Sequence, residues 1–451
     1  MLQFETLPPS FAVLLATLRP CFTAPSFRTF TALVAGMIAQ PGRRTITGML
    51  SAAGLAGIWH HSRAHWFFTH ARWCADTLGL AVLTLTTQRL VGAGDPLLIA
   101  VDDTLFRRTG RKIHATGWHH DGAAKGPGKN KIAWGNNWVI AAIVVTLPFT
   151  TRPVALPVAF TLWTAGGPTK QVLACQLLTR IAAACPGRRI HMVADAHYAG
   201  ADGAPGAADG ANRQRGLPAG VTLTSRLRAN AKLHAIATPT PGKGGRPKRI
   251  GATLGTPKDL AATTTWTTTT VTRYARTDTV ELADTRCLWY GAYRSREVRV
   301  ILVRDPGSKA KTGHDLALIT TDLTSPATDL VTRYAARWSI EVAIEDAKQI
   351  TGAGQAHNRT PTAVTRTVPF GLTVQSLVVC WYTLHGHHPD TITQRRAQAP
   401  WYRSKTQPAY HDMIIKLRRT LIANRFLRGK THNPTPEETH TIHLAWAEAA
   451  A

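Results

Sequence analysis

The sequence has no closely spaced cysteines. Its six cysteines are scattered along the chain, and none belongs to a C-x-x-C pair. Zinc sites and disulfide frameworks use cysteines at short, regular spacings, so neither is expected and the thiols should be reduced. The N-terminus, with Glu5 and Pro8-Pro9, also lacks the basic start and apolar run of a signal peptide. We therefore expect a cytoplasmic protein.

Long apolar runs are missing as well. The longest, Trp138 to Leu147, has the length of a strand, whereas about 18 consecutive apolar residues are needed to span a bilayer. The apolar content of 44% is ordinary for a globular protein. We therefore expect no membrane partner.

Acidic residues are scarce. The chain has 26 Asp and Glu against 53 Lys and Arg, which gives a net charge of +27 over 451 residues. An excess of this size repels itself unless a polyanion binds, so the composition favours a nucleic-acid partner.

Apolar spacing predicts helices at the start of the chain and strands in the middle. Helical periodicity runs through Phe11–Leu18, Phe30–Ile38 and Trp66–Leu83. Further along, the sequence predicts strands that begin at Pro96, Trp138, Arg152 and Arg189, and later strands at Thr263–Thr272 and Glu297–Asp305. The order predicts an α/β core that is followed by a β-rich segment.

Two of the predicted strands end in carboxylates. The apolar run from Pro96 leads into Asp102 and Asp103, and the run from Arg189 leads into Asp195. Ligands of open α/β sheets gather at the carboxyl ends of strands, where neighbouring strands would bring such acids together. Successive strand residues point to opposite faces, so only one of Asp102 and Asp103 can belong to a shared site.

A third acid lies on a predicted helix. Tyr334, Arg337, Glu341 and Lys348 are spaced so that a helix turning about 100° per residue places them within roughly 60° of arc. A carboxylate among cations suits a site that holds a metal ion and a phosphodiester together. A solvated helix face with an Arg337–Glu341 ion pair would give the same spacing. Glu345 lies one turn later and could compete with Glu341.

Three clustered carboxylates repel each other unless divalent cations neutralise them. Oxygen ligands that are shared with water and phosphate suit Mg²⁺. Two such ions, about 4 Å apart, activate the attacking oxygen and stabilise the leaving oxygen of a phosphodiester. We therefore expect two Mg²⁺ ions, with Mn²⁺ able to substitute.

These residues resemble the DDE transposases of bacterial insertion sequences, in the branch with a Tyr-x2-Arg-x3-Glu-x6-Lys signature. Asp103, which Thr104 follows, resembles the first acid, Asp195 the second and Glu341 the third, although Asp102 remains open as the first. The resemblance implies an α/β fold with a ribonuclease H-like mixed sheet flanked by helices, a β-rich insertion and an N-terminal helical domain. It also implies a transposase that cleaves and transfers DNA strands at the ends of its element.

The resemblance and the patterns together divide the chain into five parts. We expect a helical DNA-binding domain at residues 1–95, the catalytic core at 96–205 and 321–385, the insertion at 206–320 and a basic helical region at 386–451. We expect a homodimer on double-stranded DNA, at both the element ends and the target. A transposase-derived DNA-binding protein without activity, and a metal-dependent nuclease without strand transfer, are the alternatives.

Several further residues are predicted to contact DNA. Trp118, Lys125 and Lys129 lie in a segment that combines aromatic and cationic groups, which suits phosphate or an unstacked base. Trp266 and Trp289 are core residues of the predicted strands by default, but the resemblance makes one of them, with Trp289 chosen here, a candidate for stacking on a flipped base. The resemblance implies that Tyr334, Arg337 and Lys348 hold the bent DNA strand beside the metal site.

Overall fold

The computed structural model describes residues 7–122, 124, 131–199, 216–238, 249–426 and 433–450. Its N-terminal part is helical, as the apolar spacing predicts. The predicted helix at 66–83 is divided in two, because the chain turns where the Trp73 indole donates a hydrogen bond to the carbonyl of Phe67 (2.8 Å). The helices are α1 (Pro9–Ala16), α2 (Ala24–Ala39), α3 (Ile46–Ala52), α4 (His61–Thr69) and α5 (Ala75–Leu90).

A ten-stranded mixed sheet forms the centre of the molecule. Its strands run in the order β2-β3-β1-β5-β6-β12-β11-β10-β9, with β4 also paired to β3, and β7 and β8 form a separate pair. The strands are β1 (Leu97–Arg107), β2 (Gly117–His120), β3 (Ile132–Val145), β4 (Val154–Trp163), β5 (Ile190–Ala194), β6 (Val221–Arg226), β7 (Leu233–Ile236), β8 (Ile250–Gly255), β9 (Thr267–Arg273), β10 (Arg276–Cys287), β11 (Val298–Arg304) and β12 (Leu316–Thr320).

Five of these strands have the ribonuclease H-like arrangement. β3 pairs antiparallel with both β1 and β4, whereas β5 and β6 continue the sheet parallel to β1. The helix α6 (Lys170–Ala184) connects β4 to β5. The predicted fold class, an α/β protein with a mixed sheet flanked by helices, is therefore confirmed.

The inserted strands β9 to β12 extend the same sheet, whereas β7 and β8 pair separately. The predicted boundary at residue 206 assigned β6 to the insertion, but β6 pairs in parallel with β5 and belongs to the core. Alternating apolar residues look alike in both regions, so the sequence pattern alone does not separate them. The insertion, with α7 (Pro257–Thr263) and α8 (Tyr290–Tyr293), returns through β12, which pairs antiparallel with β6.

Helices cover both faces of the core sheet. On one face, Ile99 and Val101 of β1 pack in a cluster with α5 and α6. On the other face, Ala100 and Phe106 pack against α10 (Trp338–Asp346) and α11 (Pro361–Trp381). The remaining helices are α9 (Ala327–Ala336), α12 (Thr391–Gln398), α13 (Tyr410–Phe426) and α14 (Pro436–Ala450).

Within the part of the chain that the structure describes, one helix is long and apolar enough to cross a membrane. It spans Pro361–Gly386, which is α11 with the π-helical turn that follows it. The sequence of this helix has no long uninterrupted apolar run, because Gly371, Thr373, Gln375 and Ser376 interrupt it. Since 89% of its most apolar window is buried inside the protein, a central core helix explains the composition, and the helix is weak evidence for a membrane.

Candidate active site

The two aspartates at the end of β1 face opposite sides of the sheet. Ala100 packs with α10 and α11, whereas Val101 packs in the cluster formed with α5 and α6. Because strand residues alternate, Asp102 lies on the α10 side and Asp103 on the α6 side.

Asp195 is the neighbour of Asp102 on the adjacent strand. Val101 of β1 pairs with Ala194 of β5 at the end of the parallel ladder. Asp102 and Asp195 are the next residues after this pair. Val193 packs on the α10 side, and alternation directs Asp195 to that side as well. Burial, together with the carboxylates of Asp103 and Asp195, raises the pKa of Asp102 to about 7.

Asp103 has structural partners on the other side of β1. Its carboxylate accepts a hydrogen bond from the Tyr198 hydroxyl (3.1 Å) and forms an ion pair with Lys170 at the start of α6. Burial, together with nearby carboxylates, raises the pKa of Tyr198 well above its ordinary value, so the hydroxyl remains a donor. This geometry does not support Asp103 as the first acid. Asp103 instead fastens the turn after β5 to β1.

The predicted signature helix keeps a helical backbone from α9 into α10, because Arg337 between them has φ −51° and ψ −37°. α9 ends at Ala336, α10 begins at Trp338, and a π-helical turn at Ala347–Thr351 carries Lys348. Tyr334 is buried in the cluster between α9 and the inserted strands, with 8% of its surface exposed. The ring of Tyr334 nevertheless lies beside Arg337, Arg337 pairs with Glu341, and Lys348 reaches Thr104 of β1.

Arg337 lies between two of the three acids. Its guanidinium is 2.7 Å from a carboxylate oxygen of Glu341 and 4.0 Å from a carboxylate oxygen of Asp102. Only 13% of the side chain is exposed, and the guanidinium carbon lies 5.8 Å from the centre of the Tyr334 ring. The ion pair of the solvated-face alternative is present, but Arg337 is turned toward Asp102 of β1 instead of toward solvent.

Lys348 is anchored beside Asp102. Its ammonium donates a hydrogen bond to the Thr104 hydroxyl (2.6 Å) and lies 5.3 Å from the centre of the Phe106 ring. Thr104 is two residues from Asp102 on the same strand, so both face α10. Burial lowers the pKa of Lys348. Lys348 is thus a fixed cation at the edge of the acid group.

The other predicted DNA contacts have different outcomes. Trp118 is 69% exposed on β2, with its ring against Trp134. Trp289 is a correction: it packs with Tyr293 in the core of the insertion and is 8% exposed, so its ring is not presented to DNA. Lys125 and Lys129 lie outside the described residues.

The comparison with known families agrees with this architecture. A family model described as DDE superfamily endonuclease matches residues 17–295, which is more than half of the chain. The chain belongs to the DDE superfamily endonucleases. No curated protein matches the sequence. The matched residues include Asp102, Asp103 and Asp195 but end before α9, so the Tyr-Arg-Glu-Lys branch is not part of this match.

Membership of the DDE endonucleases implies a DNA substrate and a divalent metal. Within the described residues, no three Asp, Glu, His or Cys side chains are close enough together to hold a metal ion as they are arranged. The donor chemistry nevertheless fits: Asp102, Asp195 and Glu341 offer the hard oxygen ligands that Mg²⁺ prefers. The pKa of Asp102 is raised first by burial and then by the neighbouring carboxylates of Asp103 and Asp195, and a bound cation would relieve that repulsion.

Some residues of this DDE endonuclease site were not found from the sequence. Tyr198 stands three residues after Asp195, and that short spacing was the only available signal. Lys170 gave no signal, because its partner Asp103 is distant in the chain. Thr104 was noted only as the residue after Asp103, and its bond to the distant Lys348 had no signal. Asp102 remained an alternative for the first acid, because the sequence does not show which face of β1 its side chain occupies.

Proposed function

We propose that this protein is a transposase that binds the ends of its element, cleaves DNA with divalent metal and transfers the freed strand. One observation carries the proposal: the register of β1 and β5 makes Asp102 and Asp195 neighbours beneath the helix that bears Glu341. We assign the metal ligands as Asp102, Asp195 and Glu341, with Asp102 in the role first predicted for Asp103.

The residues divide the work by their chemistry. Two Mg²⁺ ions, when bound, activate the attacking oxygen and stabilise the leaving oxygen. The carboxylates of Asp102, Asp195 and Glu341 would hold these ions where β1, the end of β5 and α10 meet. Lys348 offers a fixed ammonium to a phosphate oxygen, and Arg337 offers a planar guanidinium that can donate two parallel hydrogen bonds to phosphate.

A cleavage assay tests the proposal. Labelled duplexes from the genomic sequence on either side of the reading frame should be cut in Mg²⁺ or Mn²⁺ and joined to a target plasmid. Asp195→Asn should reduce cutting by roughly 100- to 1,000-fold, the scale for losing a group that stabilises transition-state charge. It should still bind the duplex, because affinity comes mainly from Lys and Arg.

The alternatives predict different results in the same assay. Cutting without joining would identify a nuclease without strand transfer. Binding without cutting, in any divalent metal, would identify a DNA-binding protein that has lost activity. Near-normal cutting by Asp195→Asn would contradict the assigned site.

The net charge of +27 gives a second prediction. Each phosphate neutralised by Lys or Arg releases condensed counterions, so duplex binding should weaken steeply with salt. For about six to ten phosphate contacts, log K against log salt should fall with a slope of roughly −5 to −9. Fluorescence anisotropy over a salt series measures this slope. An affinity that does not depend on salt would contradict a DNA partner.

A further inference from the structure

Arg337 contacts two of the three acids that the proposed function assigns to metal binding. It is 2.7 Å from Glu341 and 4.0 Å from Asp102, so one guanidinium links a residue of α10 to a residue of β1. No other ion pair between described residues involves Asp102 or Glu341. Lys348, which is also nearby, donates to the neutral hydroxyl of Thr104 instead.

The bonding of Arg337 is incomplete. Its Nε is buried and has no hydrogen-bond partner among the described residues. A guanidinium has five N–H donors, and the contacts of this one with Glu341, Tyr334 and Asp102 leave its Nε unused. A buried donor without a partner is costly, and such a group gains from any new acceptor that reaches it.

We propose that Arg337 is an internal counter-ion that takes the place of the metal between Asp102 and Glu341, and that metal must compete with it. A carboxylate oxygen that accepts from a guanidinium has less capacity to ligate a divalent ion. Metal loading therefore breaks the Glu341 contact and frees Arg337, whose donors then suit a DNA phosphate. This inference rests on the proposed function, because it assumes that the same carboxylates bind the metal.

Manganese titration of the DNA-free protein, followed by the electron paramagnetic resonance of free Mn²⁺, tests the proposal. Arg337→Met keeps an apolar side chain of similar length but removes the competing cation. It should bind Mn²⁺ at least tenfold more tightly than the wild type. Lys348→Met is the matched control, since it removes a neighbouring cation that does not contact a carboxylate, and its affinity should change by less than threefold.

The outcomes distinguish the possible failures. Equal affinities for the wild type and Arg337→Met would overturn the counter-ion role, and so would an equal gain in Lys348→Met, which would reflect general charge alone. The double variant Arg337→Met with Asp102→Asn should lose the gain. If the double variant keeps the gain, the metal lies elsewhere and the assigned site of the proposed function is wrong.

A second variant, Arg337→Lys, tests the proposal without removing the positive charge. Arg337→Lys keeps the charge, but a single ammonium cannot link both acids as a planar guanidinium does. Its Mn²⁺ affinity should rise by a smaller factor than that of Arg337→Met, and thermal unfolding followed by circular dichroism should show a folded protein. A folded Arg337→Lys with wild-type affinity would also overturn the proposal.

Discussion

Asp102→Asn is expected to reduce DNA cleavage by roughly three orders of magnitude, the upper range for losing a group that stabilises transition-state charge. Asp103→Asn is expected to reduce it by only about tenfold, the lower range for residues that support metal ligands from outside. The difference follows from the strand pleat: Asp102 faces α10 and Glu341, whereas Asp103 faces Tyr198 and Lys170. Single-turnover cleavage of a labelled end duplex measures both rates.

Two controls separate chemistry from folding and binding. Both variants should bind the duplex as tightly as the wild type, because neither removes a cation. In chelator at pH 8, Asp102→Asn should unfold at a temperature no lower than the wild type. In the wild type, folding raises the pKa of Asp102 to about 7. Above the pKa of the unfolded chain, ionisation of Asp102 therefore destabilises the folded state, and the neutral amide of the variant removes this cost.

The reverse ranking would refute the assignment of Asp102. If Asp103→Asn abolished cleavage while Asp102→Asn remained active, Asp103 would be the ligand that the family resemblance suggested. The contacts of Asp103 with Tyr198 and Lys170 would then have to break when DNA and metal bind.

The elements of this fold were predictable from sequence, but the face that each acid occupies was not. The apolar runs that lead into Asp102 and Asp195 define buried strands, because their length and composition suit no other element. Which of two adjacent aspartates faces the third acid depends on where α10 packs. The contacts of Ala100 and Val101 decide this, and both residues are apolar, so composition does not distinguish them.

The type of a residue likewise does not predict whether its side chain is exposed or buried. Trp118 and Trp289 were both candidates for DNA, yet one is exposed at the sheet edge and the other is buried in the insertion. A tryptophan suits either place, since it combines a large apolar surface with a single donor.

Lys348→Met is expected to let the first strand be nicked but to slow the following transesterification by about 100-fold, the cost of misplacing a reacting group. The Lys348 ammonium is held 2.6 Å from the Thr104 hydroxyl, two residues beyond Asp102, so it can position a phosphate beside the acids. The first cut needs mainly the carboxylates, whereas the next step must also hold the bent strand.

Thr104→Val is the matched control for the Lys348 variant. It keeps the ammonium and the volume of the residue but removes the hydroxyl that fixes the ammonium against β1. A loose cation still attracts phosphate, so Thr104→Val should slow the later step by less than Lys348→Met does. Time courses on labelled end duplexes, which resolve nicked from fully processed DNA, compare the two variants with the wild type. If Lys348→Met completes every step at the wild-type rate, the ammonium only fastens the π-helical turn to β1, and its proposed role at the phosphodiester is wrong.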